Sequence, residues 1–146
     1  MSPSSSLNAT EAQIVEAVPT QLFIGGRWRV ASDGAQIPVA DPSTGTVFTH
    51  VADATVTDGD AALAAASGVA TEWAATPARD RGEILRRAFD LVTERREDLA
   101  LLMTLENGKA LADSRAEVTY GAEVLRWFSE EAVRIAGRHA TAPTGA

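Results

Sequence analysis

The spacing of apolar residues changes character near residue 57. Ahead of that point they come in short runs broken by turn signals. Beyond it they recur at intervals of three and four, the repeat of a helix with one buried face. In residues 21–30, LFI and RWRV flank Gly25-Gly26, which predicts a hairpin with Trp28 and Val30 on one side and Arg27 and Arg29 on the other. Further on, DPSTG lies between IPVA and TVFTHVA. There Pro42 fixes φ and Gly45 can take a positive one, so a second turn between strands is expected. The first third should be β-rich.

Helical segments account for the rest. Thr10 to Gln13 has the form of a capping box opening a short helix over residues 11–17, ended by Pro19. Thr57 is the expected cap of a second helix, whose apolar positions are Leu63, Ala66, Val69, Ala70 and Trp73. Gly59 in its first turn costs about 1 kcal/mol relative to Ala. After Pro77, Ile84, Leu85, Ala88, Phe89 and Val92 make an inner stripe. The arginines outside that stripe interleave with acids, as on an ordinary solvated face rather than a basic patch. A short helix over residues 97–105 follows, closed at Asn107-Gly108, where the glycine suits a left-handed cap.

Residues 105–137 read as one long amphipathic helix entered through that turn. Val118, Ala122, Leu125, Phe128, Ala132 and Ile135 follow the helical repeat and should face the core. Tyr120, Val124 and Trp127 form a second stripe, rotated from the first, so this helix is apolar over a wide arc. The second stripe has two readings: a wider core, or the wall of a small-molecule pocket, to which aromatics with a polar handle are suited.

Composition narrows the possibilities. The 146 residues carry a formal net charge of −7, which argues against a nucleic-acid or anionic-membrane surface, since both need a basic footprint. No apolar run approaches the roughly 18 residues of a membrane span, and the start has neither a basic nor an apolar signal segment, so a cytoplasmic protein is expected. Residues 1–20 read as a flexible leader with a short helix. With no cysteine, these residues contain no disulfide, thiolate metal site or cysteine nucleophile. His50 and His139 lack partners at ligand spacing and read as structural or surface residues.

Several segments resemble, in order, the N-terminal part of the NAD(P)-dependent aldehyde dehydrogenases. They are LFIGGRW, VADPSTGTVFTHVADAT, TEWAATPARDRGEILRRAFDLVTERREDLALLMTLENGKAL and AEVTYGAEVLRWFSEEAVRIAGR, which together cover residues 21–138. DPSTG and LENGK are the more specific pair, although Asn107 and Ala110 depart from the commoner Gly-Lys-Pro form. The segment EVTYGAEVLRWFSEEAVRIAG looks most like succinate-semialdehyde dehydrogenases.

The resemblance implies an α/β fold: a β-hairpin plus helices of a Rossmann-like cofactor domain, helix-rich as an isolated fragment. Residues 21–146 would be a partial, truncated cofactor-binding domain. It implies covalent chemistry in which a cysteine thiolate attacks an aldehyde, hydride passes to NAD or NADP, and a glutamate activates water. In the family those two residues, the oxyanion-hole Asn and the cofactor contacts lie C-terminal to the matched region. This chain is therefore expected to be inactive alone and to bind the cofactor poorly. Tyr120, Val124 and Trp127 would line the aldehyde tunnel. Val39, Ala40 and Glu106 match positions near which some members hold an alkali-metal ion through backbone oxygens. Lys109, the only lysine, reads as a surface residue rather than a cofactor ligand. The expected partner is a small aldehyde. Family members also form homo-oligomers, through a β element most of which this chain is expected to lack. The competing readings are a non-catalytic helical interaction module and the remnant of a truncated gene.

Overall fold

A computed structural model describes residues 7–135 and Gly137. Two antiparallel hairpins precede a helical body. The first pairs β1 (Leu22–Ile24) with β2 (Arg27–Arg29) across Gly25-Gly26, in the register Phe23 opposite Trp28. Both glycines have positive φ, 60° and 77°, as a tight two-residue turn demands. The second pairs β3 (Gln36–Asp41) with β4 (Thr46–Ala52), and a register shift between Val39 and Ala40 marks a bulge. Its turn is held by Asp41, whose Oδ1 accepts from the Ser43 N–H at 2.8 Å while its carbonyl accepts from the Gly45 N–H at 2.7 Å. Hydrogen bonding from Ser43, through its side chain first and its backbone second, holds the Asp41 carboxyl below the usual range.

Five helices are present among the described residues: α1 (Ala9–Glu16), α2 (Val56–Ala75), α3 (Ala78–Glu94), α4 (Arg96–Asn107) and α5 (Leu111–Glu131). A short 3₁₀ turn, Ala132–Arg134, extends α5. Sequence spacing misplaced two starts by two residues. The first helix is capped by Asn8 with Glu11, not by Thr10 with Gln13, and the second by Thr55 with Asp58, not by Thr57. In each case the cap's side chain accepts from the backbone of the third helical residue, while that residue's carboxylate accepts from the cap's own N–H. The last two helices follow the expected pattern, one closed at Asn107-Gly108 and a long one entered through that turn, although the long one ends at Glu131. Gly108, at φ 73°, closes α4 by donating its N–H to the Thr104 carbonyl, and α5 begins after Ala110.

The core lies where α3, α4 and α5 meet, and it is built of small residues. Ala100, Leu105, Val118, Ala122 and Ala132 are buried, with Ser114 fully enclosed and bonded to the Thr104 hydroxyl at 3.0 Å. Gly82 sets the approach of α3 to α5, because a Cβ built there would lie 2.8 Å from the Ser129 carbonyl oxygen.

Three burial expectations fail. Phe128 and Ile135, assigned to the core, are 56% and 77% exposed, and Ile84 of the inner stripe of α3 is also exposed. The stripe on α2 finds no cover: Leu63, Val69 and Trp73 are all exposed, because α2 touches little beyond the first hairpin. The periodicity on these helices is real; a partner for it is not among the described residues. Exposed charges, by contrast, pair as expected of a solvated surface, with Arg86 on Asp90 and Arg126 between Glu123 and Glu130. His50 is exposed on β4, whereas His139 lies outside the described residues.

Candidate functional site

The outer stripe of α5 is the leading candidate. Tyr120, Val124 and Trp127 fall within about 60° of arc on an ideal helix, on the side away from Val118 and Ala122. The inner pair is buried against α3 and α4, and this leaves Tyr120 74%, Val124 43% and Trp127 63% exposed. Among the described residues nothing covers this stripe. The stripe is a surface, open for something to lie against.

Trp127 also walls a cavity of about 510 Å³ at the C-terminal end of α5, together with Trp73, Ile84, Phe128 and Ile135. Arg81 enters this space from α3, anchored by a hydrogen bond from Nη1 to the Thr76 carbonyl at the α2–α3 junction. Arg134 also lines it and is paired with Glu131. Such a wall offers aromatic and aliphatic contact with charges of both signs from Arg81, Arg134 and Glu131, and no thiol or hydroxyl. A second, more open groove of about 760 Å³ runs between α4 and α5, floored by Leu102, Met103, Val118 and Leu125, with Glu106 and Glu117 at its rim.

The positions matched to an ion site, Val39, Ala40 and Glu106, lie on β3 and α4. β3 packs on α4, and the close approach of Gly108 to Pro42 places the end of α4 beside the second turn. Glu106 is exposed there, and Val39 is half-buried at the bulge. Among the described residues no group of three or more His, Cys, Asp or Glu could hold a metal ion. A cation at this corner would therefore depend on backbone carbonyls, which suit hard ions. Lys109 is half-buried and tied to Glu117 by an ion pair.

Sequence reasoning missed the most connected polar group. The Asp58 side chain is fully buried at the first turn of α2 and accepts from Arg29 Nη2 at 2.6 Å, the Ser32 N–H at 3.0 Å, and the Thr55 N–H and hydroxyl at 3.1 and 3.0 Å. Backbone donation from Ser32 and Thr55 is the main reason its carboxyl sits far below the ordinary range, with Arg29 adding to it. The cluster fastens the first hairpin to α2. All its buried polar atoms are satisfied, so it reads as structural. The signal was present as Thr-x-x-Asp at residues 55–58.

A family model described as the aldehyde dehydrogenase family matches residues 28–146. The chain belongs to this family. Among its relatives, a succinate-semialdehyde dehydrogenase of Paenarthrobacter nicotinovorans is 64% identical over 95 residues, covering 65% of this chain and 21% of that protein. A crystal structure of succinate-semialdehyde dehydrogenase from Burkholderia pseudomallei superposes with a TM-score of 0.82 at 35% identity, over 96% of this chain and 28% of that one. Betaine aldehyde dehydrogenase from Staphylococcus aureus, solved in complex with NAD+, gives a higher TM-score of 0.87 at only 27% identity, over 92% of this chain and 27% of that one. The fold is thus shared by family members named for different aldehydes, and shape alone does not choose among substrates. The chain spans between a fifth and under a third of the length of these relatives. The α/β architecture with small sheets and a helix-rich body is that of the corresponding part of the family fold.

Proposed function

We propose that residues 21–146 are the N-terminal part of the cofactor-binding domain of an NAD(P)-dependent aldehyde dehydrogenase that oxidises succinate semialdehyde to succinate. The 64% identity to the Paenarthrobacter nicotinovorans succinate-semialdehyde dehydrogenase carries this reading. On it, Tyr120, Val124 and Trp127 form one wall of the aldehyde tunnel, in keeping with their exposure along a single side of α5. The aromatic rings would exclude water from one side of a small substrate and leave the reacting carbon to groups elsewhere. Backbone carbonyls of Val39 on β3 and Glu106 on α4, two elements that pack together, are the proposed contributors to a structural cation site.

The family's chemistry needs a thiolate, and these 146 residues contain no cysteine. On their own they should neither reduce NAD(P)+ nor bind it well. The test is an assay of purified chain with succinate semialdehyde and either cofactor, read as NAD(P)H absorbance. A rate equal to the no-protein control is expected. Turnover above that control, abolished by heat treatment of the chain, would overturn the assignment of a wall without a nucleophile.

A further inference from the structure

We draw no further inference here: the strongest candidate, the apolar cavity between the end of α2, α3 and the end of α5 walled by Trp73, Ile84, Trp127 and Phe128, is an unpartnered face, and nothing in the structure shows what covers it.

Discussion

Asp58 joins two parts of the chain that would otherwise barely touch. Its carboxylate fills the cap of α2 and at the same time holds Arg29 of the first hairpin and Ser32 just after it. Because its folded value lies below the unfolded value near 4, the stability it contributes is complete above about pH 4 and drains away as pH falls further. Asp58→Asn should therefore lower stability at neutral pH and flatten the acid limb of a pH–stability curve from urea titrations. An acid limb as steep as that of the parent would sink this assignment. Thr55→Ala, which removes the cap oxygen, should cost about 1 kcal/mol in the same titrations. Both caps were legible as Asn-x-x-Glu and Thr-x-x-Asp, yet Thr10 and Thr57 competed for the same role. Periodicity locates a helix better than it locates the first residue. The hydrogen bonds that decide between two candidate caps are a matter of geometry.

Turns, hairpins and helices were read largely correctly, because glycine pairs, DPSTG and the change of period are local signals. Helix packing was less readable, since closeness depends on what two helices present to each other. Gly82 looks like an unfavourable residue within a helix, and only the Ser129 carbonyl explains it. Gly82→Ala should push α3 from α5 and cost about 1 to 3 kcal/mol. A Cβ added at Gly59 on α2 would meet nothing within 4 Å, so Gly59→Ala should stabilise the chain by about 0.5 to 1 kcal/mol. Urea midpoints that move in opposite directions for these two helical glycines would bear out the packing. Equal shifts would show that backbone entropy alone governs both.

Across the whole molecule the apolar residues outnumber the places to bury them. Trp28, Trp73 and Trp127 are 51%, 49% and 63% exposed, so a folded chain should show water-like tryptophan emission and acrylamide quenching close to that in urea. Blue-shifted, protected emission from dilute chain would contradict this surface. The stripes on α2 and α5 were visible in the sequence, but the sequence did not reveal which would be covered. Val118 and Ala122 of the inner stripe of α5 are buried where it meets α3 and α4, whereas Tyr120, Val124 and Trp127 face outward. That outward face, in a chain of the aldehyde dehydrogenase family, supports the tunnel-wall reading. The most direct measurement is kcat/KM for succinate semialdehyde in a chimera carrying residues 28–146 in place of the corresponding segment of the Paenarthrobacter nicotinovorans enzyme. The account predicts a value within about tenfold of the parent, and a raised KM when Tyr120→Ala is added. A folded, cofactor-binding chimera that fails to oxidise succinate semialdehyde, or one indifferent to Tyr120→Ala, would contradict it.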